Sequence, residues 1–192
     1  MPVITTRANA SATGYGAFLG AAASTAFESI ATATGTGSSG TITFSSIPST
    51  YQHLQLRYFA LSTSGTGGLQ FNVNSDTATN YARHQLSADG TSATAFGAAN
   101  VSAWFVEPSG FGIQDVQPAV GIIDIHDYAN TSKFKTMRCV AGIDINGSGG
   151  GIILRSCLYR STNAISSMTL ALNAGQFFTT STRFALYGIK GA

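Results

Sequence analysis

Asp124, His126 and Asp127 are the residues whose types and spacing could best support metal or acid–base chemistry. Residues two apart on a β-strand project from the same face, so the Asp124 carboxylate and the His126 imidazole could share an ion. Two neighbouring ligands do not close a metal site, and the sequence alone does not bring His53 or His84 beside them. We therefore interpret the set as a solvated or hydrogen-bonded strand face, and we predict no metal and no other cofactor.

Nucleophilic or phosphate chemistry has no better support in the sequence. The chain contains no Gly-x-Ser-x-Gly motif of the kind that presents a catalytic serine. The glycine-rich run 147–151 could be mistaken for a phosphate-binding loop, but such a loop must open a helix. The residues that follow, 152–154, are Ile-Ile-Leu and predict a strand instead. The sequence predicts no catalytic residue and a protein that is not an enzyme.

A short aromatic segment is the better candidate for ligand contact. Trp104 is the one tryptophan of the chain, Phe105 follows it, and Phe111 lies between two glycines. An exposed tryptophan stacks well on sugars or fills a pocket of a partner protein, whereas a buried one only fills the core. The core interpretation of Trp104 is the commoner one, and both stay open. The candidate ligand contacts are Trp104, Phe105 and Phe111.

The composition favours a protein that lives in an assembly. Of the 192 residues, 44% are hydrophobic and only 9% are charged, against about 25% charged in an ordinary soluble domain. So few charges provide little repulsion between copies, and the alternative is a neutral extracellular domain. The formal net charge of +2 is spread out apart from Lys133, Lys135 and Arg138. This pattern argues against a nucleic-acid partner.

Two further features bear on the environment of the chain. No run of 18 apolar residues occurs, so we predict no insertion into a membrane. Cys139 and Cys157 both lie in apolar runs that read as strands. Free cysteine behaves there as a small buried hydrophobe, and reduced thiols are favoured, although a bridge between neighbouring strands stays open.

The chain divides into an arm, residues 1–26, and a β domain, residues 27–192. Ala, Thr, Ser and Gly dominate the arm, whose large apolar side chains after Ile4 are Tyr15, Phe18 and Leu19. Such a segment cannot bury a core alone. We predict that Tyr15, Phe18 and Leu19 contact neighbouring subunits, and the alternative is a flexible terminus.

Alternating apolar and polar residues predict strands from Phe27 onward. Leu54, Leu56 and Tyr58 share one face, while Gln55 and Arg57 share the other. Residues 120–125 and 152–158 are apolar on both faces, which is typical of central strands or of subunit contacts. Only residues 81–88 could form a helical turn. About nine or ten strands without βαβ spacing predict an all-β fold, an antiparallel β-sandwich with the jelly roll as the favoured topology.

Several runs of the sequence resemble a family of small virion structural proteins from tailed bacteriophages. Members are common in cyanophages and other marine or freshwater phages, and they are described as tail-fibre, minor-tail or particle-surface proteins. The resemblance implies a β-sandwich module on the particle and transfers no functional residue to this chain. The matching runs are ITFSSIPSTYQHLQLR (42–57), NYARHQL (80–86), IDIHDYANTSKFKTMR (123–138), residues 165–170 and STRFALYGIKG (181–191).

The resemblance leads to expectations about function and partners. We expect a virion protein, made in the host cytoplasm, that is tail-associated and contacts the host as part of a fibre or adaptor. One alternative is a capsid decoration (cement) protein that stabilises the head, and another is a lectin-like module that binds glycans. The expected partners are the chain itself, other virion proteins and a host-surface glycan or protein. A homotrimer is favoured by analogy with other phage β modules.

Overall fold

The computed structural model describes residues 26–107, 112–145, 149–173 and 175–191. These residues form twelve β-strands and no helix. The strands are β1 Phe27–Thr34, β2 Thr41–Phe44, β3 His53–Ala60, β4 Gln70–Val73, β5 Tyr81–Ala88, β6 Ala93–Val101, β7 Trp104–Phe105, β8 Ala119–His126, β9 Lys135–Asp144, β10 Gly150–Tyr159, β11 Met168–Ala171 and β12 Arg183–Ile189.

The strands form two antiparallel sheets that pack as a β-sandwich, as the alternation predicted. The large sheet has the order β1-β12-β3-β8-β9-β10-β5-β6 and the small sheet the order β2-β11-β4-β7. Strands β1, β2, β3 and β4 alternate between the sheets, and the orders β1-β12-β3-β8 and β2-β11-β4-β7 are those of a jelly roll. The hairpins β9-β10 and β5-β6 are additions that widen the large sheet beyond β8.

The core lies between the sheets and is made by the inward residue of each alternating pair. Leu54, Leu56 and Tyr58 of β3 are buried, and the Tyr58 ring stacks on Phe184 with 5.9 Å between ring centroids. The Tyr58 hydroxyl donates a hydrogen bond of 2.7 Å to the carbonyl of Val106. Residue 121 must be glycine, because a Cβ there would lie 2.4 Å from Cζ of Tyr58. The predicted inward face of β3 is thereby confirmed.

Segment 81–88 corrects one expectation from the sequence. The residues read as a helical turn form β5, which pairs with β10 along its whole length, from Tyr81–Tyr159 to Ala88–Ile152. The buried Tyr81 hydroxyl also accepts a hydrogen bond from the Val73 amide at 3.1 Å. The local pattern is weak, so pairing with a distant strand decides the structure of this segment.

Two cysteines and one lysine of β9 and β10 are buried beneath the widened sheet. Cys139 and Cys157 are free and buried, as predicted, and burial raises the pKa of each thiol to about 12. Lys135 is fully buried at the start of β9. Its ammonium group donates to the carbonyls of Asn130, Lys133 and Thr162, which uses its three protons and closes the loop between β8 and β9. Burial lowers the pKa of Lys135.

Candidate functional site

The outer face of the large sheet carries the most unusual surface of the molecule. Seven large apolar side chains project from its central strands, each between 41 and 59% exposed. They come from β3, β8, β9, β10 and β5, which are neighbours in the sheet. We call these residues the apolar outer patch: Phe59, Leu86, Val120, Ile122, Val140, Ile152 and Leu154.

Strand register gathers these side chains into two adjacent rows. In one row, Ile122 pairs with Val140, and Val140 pairs on its other side with Leu154. That row continues to Leu86 on β5. Side chains level on neighbouring strands lie about 5 Å apart, so the row is a continuous apolar ridge across four strands.

The second row contains a depression. Val120 and Ile152 both pair with Gly142, which has no side chain, so the row dips at its centre. The surface cavity at this point measures about 840 Å³ and is lined by both rows, with Arg57 and Asp144 at its margin. An apolar ridge beside an apolar depression is a shape that another protein surface can complement.

A polar row borders the patch on the same face. Asp124 pairs with Arg138, and the row continues through Ser156 to His84. Asp124 accepts a hydrogen bond of 2.8 Å from the Gln55 amide, while Arg138 forms no ion pair within 4 Å among the described residues. An apolar centre with a polar margin is the usual anatomy of a protein–protein interface.

The histidine–carboxylate set lies at one end of this face. Asp124 and His126 project from the same side of β8, as predicted, and the His126 ring packs edge-on against His53 with 5.2 Å between centroids. His53 Nδ1 accepts the backbone N–H of Asp127 at 3.0 Å. Lys133 bonds to the Asp127 carboxylate and is the main reason that its pKa is lowered.

These contacts give the set a structural role, because they join β3, the end of β8 and the loop that follows it. Within the described ranges, no three histidine, cysteine, aspartate or glutamate side chains come together in a way that could hold a metal ion. The described residues also contain no helix long and apolar enough to cross a membrane. The sequence could not bring His53 beside His126, because the two residues lie on different strands.

The structure separates the candidate ligand contacts. Trp104 has no exposed surface, and its ring meets Phe71 edge-on at 5.8 Å. This burial fits the core interpretation and corrects the candidate role of Trp104, because a covered ring cannot stack on a ligand. Phe105, its neighbour, faces the opposite way and lines a surface cavity. Phe111 lies outside the described residues, as do Tyr15, Phe18 and Leu19 of the arm.

A buried charged group behind Phe105 was missed by the sequence analysis. The Glu107 carboxylate is buried and accepts the backbone N–H groups of Leu69 at 2.9 Å and of Val106 at 3.1 Å. Burial raises the pKa of Glu107, and the charge of the buried Arg155 opposes that rise. The sequence did contain a signal for a buried charge here. In the alternation of β10, Arg155 occupies an inward position between Ile153 and Cys157, where an apolar residue would be expected.

No protein-family model, curated protein or solved structure matches the chain. The fold and the surface therefore define the protein only as a jelly-roll β-sandwich whose widened sheet leaves an apolar outer face uncovered.

Proposed function

We propose that the chain is a structural component of a tailed-bacteriophage particle, a β-sandwich module that self-associates through the apolar outer patch. The observation that carries the proposal is the patch itself, seven exposed apolar side chains in two adjoining rows. Monomeric soluble proteins rarely leave a contiguous apolar surface of this kind uncovered. The low charge content of 9% supports association as well.

The dimensions of the face suit a stable contact. Eight strands spaced about 4.8 Å apart, each seven to ten residues long, give a face of about 1,100 Å². A standard protein–protein interface buries about 800 Å² on each partner. Both signs of charge lie at the margin of the patch, since Arg57 and Asp144 line the depression and Asp124 pairs with Arg138. A second copy of the chain can therefore pair with the charges at the margin and also cover the apolar centre.

The virion assignment is the finer part of the proposal, and it rests on the resemblance of the five sequence runs. A closed homo-oligomer, with a trimer favoured, matches a module that is repeated on a particle. The favoured placement is on the tail, in contact with the host surface, and other virion proteins are the remaining partners.

Replacing Val140 with aspartate is expected to dissociate the oligomer. Val140 lies at the centre of the ridge, between Ile122 and Leu154. A carboxylate there would be buried without a partner on association, which costs several kcal/mol. Sedimentation velocity should find the wild-type chain at a multiple of 19.8 kDa and the variant at 19.8 kDa.

The matched control is Thr43→Asp. It adds the same charge at an exposed strand position on the outer face of the small sheet. This variant should keep the oligomeric mass of the wild type. A wild-type chain that stays at 19.8 kDa at high concentration, or a Val140→Asp variant that remains oligomeric, would refute the assembly surface.

A further inference from the structure

Arg83 has an unusual environment at the edge of the sandwich. Its guanidinium lies between two aromatic rings, 4.9 Å from the centroid of Phe105 and 5.7 Å from that of Phe96. The Nε and Nη1 atoms are buried, and no described residue accepts a hydrogen bond from either. Buried donors of a charged group are costly to leave without an acceptor. The local packing thus holds the guanidinium in place while two of its nitrogen atoms lack hydrogen-bond acceptors.

The nearby charges do not compensate this cation fully. Glu107 acts through space on both Arg83 and Arg155, so two guanidinium groups share one carboxylate. That carboxylate is already occupied by two backbone N–H groups, and neither arginine lies within 4 Å of it. Arg155 has acceptors of its own in Gln85 and the Phe105 carbonyl. An excess positive charge therefore remains at Arg83.

A surface cavity opens directly in front of this group. It measures about 310 Å³, which is at the lower end of the range for small-molecule sites. Residues with hydroxyl and amide side chains line it together with the aromatic Phe105. The lining includes Gln70, Thr79, Arg83, Asn100, Ser102 and Phe105.

A second guanidinium stands behind the cavity wall. Arg160 donates from Nη2 to the Asn100 Oδ1 at 2.7 Å, and within the described part of the chain no group accepts from the Asn100 amide. Asn100 has a φ of 58°, a left-handed conformation that asparagine tolerates better than most residues. The carboxylate of Asp76, three residues before Thr79, is engaged by the Ala78 amide, Asn80 and the Tyr159 hydroxyl. The cavity thus presents donors and positive charge.

We propose that this cavity binds a carboxylate-bearing sugar unit, with Arg83 holding the carboxylate. Arginine suits carboxylates because its planar fork offers several donors at fixed angles. Arg83 lines the cavity, and a carboxylate bound there would reach the two buried donors by a movement of the side chain that exposes them. The amides of Gln70 and Asn100 and the hydroxyls of Thr79 and Ser102 suit sugar hydroxyl groups. The Phe105 ring offers an apolar surface for the C–H face of the sugar. The inference does not depend on self-association or on the virion role.

The test is calorimetric titration of the purified chain with three probes. Methyl glucuronide carries the sugar and the carboxylate, methyl glucoside only the sugar, and acetate only the carboxylate. We expect the glucuronide to bind at least about tenfold more tightly than either of the others, since a charge-assisted contact and the sugar contacts add. Equal binding of glucuronide and glucoside, or no detectable binding of the glucuronide, overturns the proposal. Binding of acetate as tight as that of the glucuronide reduces the site to an anion site and overturns the sugar assignment.

Two variants locate the effect in the cavity. Arg83→Gln should weaken glucuronide binding about tenfold or more. Asn100→Asp should do the same by placing a negative charge at the cavity wall, in a conformation that aspartate also tolerates. Arg183→Gln, at an exposed position of β12 and not next to the strands that form the cavity, is the matched control and should bind as the wild type does. Unchanged binding by a folded Asn100→Asp variant refutes the site even if Arg83→Gln fails to fold, and the oligomeric mass of each variant reports separately on the proposed function.

Discussion

Replacing Trp104 with alanine is expected to lower the free energy of unfolding by about 3–5 kcal/mol. The side chain is fully buried in β7, where it packs edge-on against Phe71 of the neighbouring strand. Its removal leaves a large cavity at the end of the small sheet, and a closely packed interior relaxes into such a space only in part. Urea denaturation followed by circular dichroism should show a midpoint lower by about 1–3 M.

Phe134→Ala is the control for this substitution. Phe134 is an aromatic residue of similar apolar character that is 49% exposed in the loop before β9. Its replacement should change the midpoint much less. Both variants are best measured in the Val140→Asp background, because subunit dissociation would otherwise contribute to the apparent stability. Equal shifts for the two variants would show that Trp104 is not part of the core.

Replacing Glu107 with alanine is expected to destabilise the chain by about 1–3 kcal/mol at neutral pH, the cost of leaving a buried donor without its acceptor. The change removes the carboxylate whose charge acts on Arg155 and Arg83, and it leaves the Leu69 amide without its acceptor, while the Val106 amide keeps the Leu69 carbonyl. Glu107→Gln keeps an acceptor of the same shape and should cost less. Glu28→Ala, which removes a partly exposed carboxylate that bonds to Lys190 and the Tyr51 hydroxyl, should change the unfolding midpoint much less.

Stability as a function of pH distinguishes the charge of Glu107 from its shape. Burial raises the folded-state pKa of Glu107 above its ordinary value of 4.5. The folded chain therefore holds this proton more tightly than the unfolded chain, and the contribution of Glu107 to stability falls as pH rises from 4.5 through the folded-state pKa. Glu107→Gln should remove that slope. Identical pH profiles for the wild type and this variant would contradict the burial effect.

The sandwich could be predicted from the sequence because each strand with one buried face carries a period of two. Strand β3, which shows this alternation, pairs with the closing strand β12, and both strands point their buried apolar residues inward. Apolar residues on both faces of β8 and β10 left two interpretations, central strands or subunit contacts. The structure makes both strands central, and their outward residues are nevertheless uncovered.

The remaining features depend on contacts between segments far apart in the sequence. Nothing local to β5 shows that it pairs with β10, so its weak alternation resembled a helical turn. The Arg83 cavity combines side chains from β4, β5, β6 and β7, and no single run of the sequence contains its pattern. Trp104 and Phe105 are adjacent, yet one is core and the other lines a cavity, because successive residues of a strand face opposite ways.

The most direct test of the central claim is quantitative mass spectrometry of purified particles of the phage proposed to encode the chain, with the major capsid protein as the reference. The account predicts that the chain is present in a few copies to a few tens of copies per particle and remains with the tails when heads and tails are separated. Hundreds of copies that stay with the heads would replace the tail placement with a capsid decoration role. Absence from the particles, with the chain present in infected cells, would contradict the structural role itself.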